Sequence, residues 1–195
     1  WLYGYTYRIK VTTYTNIGSS GLADRCADTV DFGDGSPRKE VPRTNGLSNI
    51  CSPPARDGEP LSGTIKLNEY VVIHTFPGPG NYKISMQDPN RNAGVINLPN
   101  SVNQVFYIES LLVIPSFSTL KNDSPVLTFP PIDKGCLGKC FMHNPGAYDV
   151  DGDSLSYELT YCRGIGGAMC PGYTYPATGG GTYNVNATTG TLTWC

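Results

Sequence analysis

Charged residues are scarce in this sequence. Asp, Glu, Lys and Arg make up 15% of the 195 residues, whereas they form about 25% of an average soluble chain. The 14 Lys and Arg are scattered and the formal net charge is −2, so no basic stripe faces a phosphate backbone and nucleic acid is not an expected partner. Long apolar runs are missing too: stretches such as residues 110–114 are far shorter than the roughly 20 residues of a spanning helix. We therefore expect no membrane insertion.

Catalytic signatures are equally scarce. The chain has two histidines, and no G-x-S-x-G or H-E-x-x-H pattern accompanies them. A histidine that acts as a general base also needs a nucleophile and an orienting group beside it. We expect His74 to be a packed structural residue and the protein not to be an enzyme.

Glycine, proline and tyrosine are abundant instead. The 23 Gly and 16 Pro exclude a mostly helical chain, because helix interiors disfavour Gly by about 1 and Pro by about 3 kcal/mol. Aromatic residues form 11% of the sequence, with 13 Tyr, which argues against disorder. The length suits one large domain or two domains of about 100 residues. The composition predicts a folded, all-β protein.

Strand patterns in the first half agree with this fold class. Residues 5–15 alternate with the period of a half-buried strand. The runs 70–76 and 82–86 flank a Pro-Gly-Pro-Gly turn at 77–80, and this arrangement predicts a hairpin. Residues 105–114 are expected to form the strand that closes this unit.

Two stretches of the first half resemble the signatures of a PKD (polycystic kidney disease) domain. Residues 30–36 read Val-Asp-Phe-Gly-Asp-Gly-Ser, close to the family pattern W-D-F-G-D-G-S. Residues 74–86 follow with His-Thr-Phe, a Pro/Gly turn and Gly-Asn-Tyr-Lys-Ile, close to H-T-Y and G-x-Y-x-V. Val30 stands where the family usually has Trp, and an insertion containing Cys51 separates the motifs. The resemblance implies an immunoglobulin-like β-sandwich without catalytic activity, of the kind found in extracellular surface proteins.

The second half resembles a different sandwich module. Residues 149–157 fit D-x-D-G-D-x-L-x-Y, alternation runs from Leu155 to Leu159, and residues 183–194 read strand, turn, strand. The pair of patterns is similar to bacterial cadherin-like or dystroglycan-type modules. The order of units most resembles large gliding- and adhesion-associated surface proteins of Bacteroidetes. We expect two tandem immunoglobulin-like β-sandwiches, 1-114 and 115-195.

The second sandwich is expected to lack its last strands. After the turn at Gly190 only residues 191–194 fit a strand, which would leave Leu192 and Trp194 beside an open groove with unpaired backbone groups. Either the natural chain continues, or a strand from a neighbouring copy fills the gap. In the second case residues 5–14 are the candidate donor, and head-to-tail repetition would build a filament.

Three alternating carboxylates mark a candidate metal site. Asp149, Asp151 and Asp153 bring hard oxygen ligands of the kind that Ca²⁺ prefers into one loop, and calcium is the expected cofactor. The loop is not an EF-hand. The alternative is an Asp-Gly turn whose carboxylates cap backbone amides. For Asp31 and Asp34 a role in the turn itself is favoured over a metal.

Seven cysteines indicate an oxidising setting, and we expect the chain to be secreted or displayed on the cell surface. The disulfides expected from sequence proximity are Cys26–Cys51, Cys136–Cys140 and Cys162–Cys170. Cys195 is left as the odd thiol, available to another chain or to a downstream cysteine. Zinc at Cys136, Cys140 and His143 is the competing interpretation, but this spacing is uncommon and lacks an obvious fourth ligand.

Two features of the sequence point to glycans, one to glycan binding and the other to O-glycosylation. Exposed aromatic residues such as Tyr173 and Tyr175 could stack on sugar rings, although cores and strand faces use Tyr as readily. The short motifs around Thr29 and Ser154 resemble the Asp-Ser/Thr-apolar sites at which Bacteroidetes attach O-glycans. Surface glycans are therefore candidate partners, and Thr29 and Ser154 are candidate O-glycosylation sites.

These features together predict a non-catalytic structural or adhesive module of a bacterial cell-surface protein. Its expected partners are other protein modules or copies of itself. Two alternatives stay open: a filament subunit assembled by β-strand complementation, and an accessory region of a secreted hydrolase.

Overall fold

The computed structural model describes residues 1–18, 24–116, 122–132 and 134–195. The chain divides into two compact units, one of Trp1–Ser118 with Cys162–Gly172 and one of Thr119–Tyr161 with Tyr173–Cys195. The expected division into 1-114 and 115-195 assigns residues 162–172 to the second domain, whereas in the structure they belong to the first unit. Within that unit Arg163 pairs with Glu109, and the Arg91 guanidinium donates to the Arg163 carbonyl oxygen at 2.6 Å.

The described residues form strands and two short 3₁₀ turns, and they contain no α-helix. The all-β fold class is therefore confirmed. Seven strands lie in the first unit: β1 (Thr6–Asn16), β2 (Ala27–Asp31), β3 (Lys39–Pro42), β4 (Glu59–Ser62), β5 (Ile65–Thr75), β6 (Gly80–Asp88) and β7 (Phe106–Ile114). Five shorter strands lie in the second: β8 (Val126–Leu127), β9 (Phe141–His143), β10 (Ala147–Tyr148), β11 (Tyr183–Val185) and β12 (Leu192–Trp194). In the part of the chain that the structure describes, no helix has the length and apolar character that a membrane crossing requires.

Two antiparallel sheets enclose the core of the first unit. One has the order β1-β5-β4 and the other β3-β2-β6-β7. Side chains from both sheets meet in one apolar cluster, because alternate residues of each strand point inward. The buried members of that cluster are Ile9, Val11, Val30, Phe32, Val41, Tyr70, Val72, Phe76, Tyr82, Met86 and Ile114.

The expected hairpin between residues 70–76 and 82–86 is wrong. Strand β5 pairs with β1 and β4, whereas β6 pairs with β2 and β7, so the turn at 77–80 carries the chain from one sheet to the other. The rings of Phe76 and Tyr82 lie 4.6 Å apart at this corner, and Tyr82 Oη donates to the Gly78 carbonyl oxygen at 2.9 Å. Burial of both rings between the sheets favours this crossing over a hairpin.

The turn after β2 serves the fold. The His74 ring stacks on Phe32 with centroids 3.7 Å apart, and His74 Nε2 lies 2.7 Å from Asp34 Oδ2. Burial opposes ionisation of Asp34, but hydrogen bonds from Ser36 and His74 outweigh it and lower the pKa of Asp34 to about 2. Asp31 accepts from the Gly33 amide at 2.9 Å. His74 is thus the packed structural residue expected from the sequence.

The residues at 5–14 are built into their own unit. Strand β1 pairs with β5 along its whole length, from Thr6 opposite Thr75 to Asn16 opposite Ile65. Ile9 and Val11 of this strand lie in the core. This segment is therefore not available as the expected donor without loss of the first unit's core.

The second unit contains two small sheets, β10-β8 and β11-β12-β9. The last strand, β12, is the central strand of its sheet, so the backbone groups of Leu192 and Trp194 face neighbours on both sides and do not border the open groove expected for them. Residues 155–159 alternate between half-buried and exposed, but they join no ladder among the described residues. In the described part of this unit Gly190 is the only buried residue, so the unit has little apolar core of its own.

Asp28 makes the first unit sensitive to pH. It is 8% exposed, and burial above all, with the nearby charge of Asp88, raises its pKa to about 6. The unfolded pKa is about 3.9, so between these values the native state holds the extra proton, and the stability present at low pH is lost as pH rises through 6. We expect Asp28→Asn to raise the melting temperature at pH 7.5 and to change it little at pH 4.5.

Glu40→Gln is the matched control for this prediction, because Glu40 is exposed and lies opposite Thr29 on the neighbouring strand. Like Asp28→Asn, this substitution removes one negative charge. The change in melting temperature that it causes should not differ comparably between pH 7.5 and pH 4.5. An equal loss of melting temperature at both pH values in Asp28→Asn would contradict the assigned protonation.

Candidate binding surface

The loop between β3 and β4, residues 43–58, is fixed at its base by a wholly buried arginine. The Arg43 side chain has no exposed surface and lies 2.6 Å from Asp24 Oδ1. Its guanidinium also donates to the carbonyl oxygens of Asp57 and Arg25. The second Asp24 oxygen pairs with Lys66, which is itself 7% exposed. One carboxylate thus compensates two buried cations and ties the loop to the inner face of β5.

A second group of contacts orders the loop from within. The Asp57 carboxylate accepts hydrogen bonds from the backbone amides of Asn49 at 2.7 Å, Ile50 at 3.0 Å and Cys51 at 2.8 Å. These bonds, with that from Cys51 foremost, lower the pKa of Asp57. Cys51 is also joined to Cys26 by a disulfide, with Cα atoms 5.6 Å apart. The loop is therefore held by a covalent bond as well as by its own carboxylate.

The two ends of the loop meet closely. Gly46 and Gly58 form a parallel bridge, and a Cβ atom on Gly46 would lie 2.0 Å from the Gly58 carbonyl oxygen. Both glycines also have positive φ, which side chains disfavour. The Asn45 side chain donates to the Leu67 carbonyl oxygen and accepts from the Glu69 amide. The Asn45 side chain therefore occupies the hydrogen-bonding groups of β5 next to the stretch that pairs with β4.

Two large apolar side chains are exposed on the outer surface of the loop. Leu47 is 70% exposed and Ile50 is 86% exposed, whereas Cys51 and Ala55 face inward and are buried. Exposed loops on a rigid scaffold commonly carry binding residues, and a loop that is ordered beforehand loses less entropy on binding. The arrangement suits contact with a partner molecule.

The insertion around Cys51 is visible in the sequence, but no motif within it indicates a function. Two signals could have located the loop: the dipeptides at 45–46 and 57–58, which are typical of turns with positive φ, and the placement of Cys51 between them. Nothing in the local sequence indicates that Arg43 is buried, because arginine is rarely buried unless paired. Its partner, Asp24, lies 19 residues away.

The three aspartates expected to bind calcium share one loop of the second unit. Asp149 Oδ1 accepts from the amides of Asp151 at 2.8 Å and Asp153 at 3.3 Å. Asp151 Oδ2 accepts from the Asp123 amide, and Asp153 Oδ2 from the Asn122 side chain. One oxygen of each carboxylate is engaged in this way, and the second is the atom that a cation would bind. Among the described residues no three acidic, Cys or His side chains are grouped closely enough to hold a metal ion, so calcium stays a prediction.

Calcium binding at Asp149, Asp151 and Asp153 is tested by stability. Extracellular modules bind Ca²⁺ with Kd of about 10⁻⁴ to 10⁻³ M, and a native-state ligand at about 100 times its Kd stabilises by about 2.7 kcal/mol. The melting temperature in 10 mM calcium should exceed that in chelator, and Asp151→Asn should reduce the difference. Identical melting curves in calcium and chelator would leave the aspartates as amide caps only.

The cysteine pairing differs from the expected one in part. The disulfide Cys26–Cys51 is present. Cys140, however, is bonded to Cys195, and Cys136 is an exposed free thiol, so the expected Cys136–Cys140 bond is wrong and Cys195 is not the odd thiol. The register of β9 and β12 explains this pairing, because Trp194 lies opposite Phe141 and the next residue outward on each strand is a cysteine.

Cys162 and Cys170 are free thiols rather than the expected disulfide. Their sulfur atoms lie 3.7 Å apart, and the Cys170 amide donates to the Cys162 carbonyl oxygen at 2.8 Å. Burial, above all, raises the pKa of the Cys162 thiol. The two cysteines therefore bring together the ends of residues 162–172, the segment that belongs to the first unit.

The two candidate O-glycosylation sites are both exposed. Thr29 lies on β2 and Ser154 follows the aspartate-rich loop. A modifying enzyme could reach either hydroxyl, and their modification stays a prediction.

Comparisons of the chain with models of protein families, with curated proteins and with solved structures found no match. The PKD-like and cadherin-like resemblances of the two halves therefore stay predictions. The antiparallel all-β architecture rests on the strands and sheets themselves.

Proposed function

We propose that this chain is a non-catalytic, adhesive module of an extracellular bacterial cell-surface protein, and that it makes contact through the 43–58 loop. The observation that carries the proposal is the exposure of Leu47 and Ile50 on a loop held by Arg43, Asp57 and a disulfide. Large apolar side chains that are exposed on an ordered loop suit a binding contact. Two disulfides support an extracellular setting, because such bonds persist in oxidising compartments.

The expected partners are other protein modules, copies of this chain, or surface glycans. Loop contact requires no rearrangement of the first unit, since Leu47 and Ile50 are already exposed. A filament built by strand exchange would instead need β1 to leave the eleven-residue pairing that it makes with β5. For this reason loop contact is the function that we favour.

Bead adhesion under shear flow tests this function. Beads coated with the full chain are flowed over bare glass, over mucin and over a layer of the chain itself, with albumin-coated beads as the reference. We expect retention above the albumin level on at least one surface. The double variant Leu47→Ser/Ile50→Ser should lower that retention about tenfold, as expected when two apolar contact residues are lost.

The matched control is Ile73→Ser/Leu111→Ser. These side chains are 58% and 64% exposed, but they lie on strands β5 and β7 rather than on the loop. Retention should be unchanged in this control. Retention at the albumin level on all three surfaces, or equal losses in loop and control variants, would overturn the proposal.

A further inference from the structure

A row of aromatic side chains crosses the three-stranded sheet of the second unit. The Cα register pairs Tyr183 with Trp194 and Trp194 with Phe141. Directly opposed residues of antiparallel strands place their side chains on the same face, so three aromatic side chains from three neighbouring strands share one face of the sheet. With strands about 4.8 Å apart, the row is about 10 Å long. We call these three residues the aromatic row.

A tyrosine outside the sheet extends the aromatic row. The ring centroids of Tyr175 and Tyr183 are 5.7 Å apart, and those of Tyr173 and Tyr175 are also 5.7 Å apart. Tyr175 is 47% exposed and Trp194 is 40% exposed. Trp194 Nε1 donates to the Ala177 carbonyl oxygen at 2.9 Å, which fixes the indole ring while part of it stays open to solvent. The rings are therefore in place before any ligand arrives.

The chain segment that carries Tyr175, Tyr183 and Trp194 is uncharged. Residues 164–195 contain no Asp, Glu, Lys, Arg or His, but they contain seven threonines. On the third strand, β9, Lys139 and His143 each lie two residues from Phe141 in the sequence. A phosphate, a nucleic acid or an acidic peptide would gain little here, because binding of such ligands depends on paired charge. A ligand with apolar faces and hydroxyl edges matches rings bordered by hydroxyl groups.

We infer that the aromatic row, with Tyr175, binds a neutral glycan chain. Pyranose rings present C–H faces that pack on aromatic rings and hydroxyl edges that hydrogen-bond to polar neighbours, as amphipathic contact with Tyr and Trp requires. The length of the row suits about two consecutive sugar rings. This site lies in the second unit and does not depend on the 43–58 loop.

Calorimetric titration of the full chain tests the inference, with cellohexaose, mannohexaose and N-acetylchitohexaose as neutral probes. At least one of them should bind, and Tyr175→Ala should weaken that binding about tenfold or more. Tyr175→Phe keeps the ring and should retain most of the affinity. Tyr148→Ala is the matched control, because Tyr148 is 52% exposed on β10 of the same unit, and it should bind as the unaltered chain does.

Fluorescence provides a second readout at the site itself. In a Trp1→Phe background Trp194 is the remaining tryptophan, and its emission should shift when the bound glycan is added. The variant Leu47→Ser/Ile50→Ser should bind the same glycan with unchanged affinity, which separates this site from the loop. The inference would be overturned by no binding of any neutral probe at millimolar concentration, by equal binding in Tyr175→Ala, or by preferential binding of oligogalacturonate or of phosphatidylcholine vesicles.

Discussion

Replacing Arg43 by methionine is expected to destabilise the first unit by about 3–5 kcal/mol, as removal of one partner from a buried ion pair does. Methionine keeps much of the buried volume, so the loss comes from the polar partners. Among the described residues, the Asp24 carboxylate would keep its ion pair with Lys66 and no other, and the carbonyl oxygens of Asp57 and Arg25 would lose a charged donor. Urea unfolding of the first unit measures the change in free energy.

Arg38→Met is the control for this prediction. Arg38 pairs with Asp31 at 3.0 Å, but its side chain is 60% exposed, and exposed ion pairs contribute about 0–1 kcal/mol. The same substitution should therefore shift the urea midpoint only slightly at this site. A similar, small shift for Arg43→Met would show that the buried guanidinium does not hold the loop.

Removing the Cys140–Cys195 disulfide is expected to unfold the second unit at 25 °C. The bond closes a segment of 55 residues, which corresponds to about 4 kcal/mol in the chain-entropy model. The second unit has little buried apolar surface to compensate this loss, since Gly190 is its only buried residue among those described. Hydrogen exchange of Cys140→Ser/Cys195→Ser should show fast exchange in β9, β11 and β12, while β5 and β6 stay protected.

Cys136→Ser is the matched control for the disulfide variant. Cys136 is an exposed free thiol four residues before Cys140, and its loss should leave exchange in both units unchanged. Protection of β11 and β12 that survives loss of the Cys140–Cys195 bond would contradict the dependence of this unit on the disulfide.

Much of the first unit could be predicted from local sequence. The alternation at residues 5–15 marks β1 because one side of the strand faces a core, and the closing strand expected at 105–114 corresponds to β7. The pairing of β5 could not be predicted locally, since the Pro-Gly-Pro-Gly turn is as compatible with a hairpin as with a crossing between sheets. What decides between them is the burial of Phe76 and Tyr82 between the sheets, which is a tertiary property.

The second unit was less predictable. Residues 155–159 alternate as a strand does, yet they join no ladder with the residues that the structure describes, because alternation reports exposure and not pairing. Sequence proximity also failed for Cys140. Its partner, Cys195, becomes a neighbour only when β12 pairs with β9, and proximity along the chain carries no information about that register.

The candidate binding surface was the least predictable part. Cys51 and the glycines at 46 and 58 are visible as turn and disulfide signals. The burial of Arg43 and the capping of three amides by Asp57 depend on contacts that form only when the loop closes on β5.

The contact role of the 43–58 loop requires that the loop be ordered before a partner binds. Hydrogen exchange of the Asn49, Ile50 and Cys51 amides, followed by NMR in the free chain, measures this order directly. All three should exchange about 100-fold slower than in an unstructured peptide, which corresponds to an opening free energy of about 2.7 kcal/mol, and Asp57→Ala should remove the protection. Exchange of the three amides at the rate of an unstructured peptide in the unaltered chain would contradict a preordered binding loop.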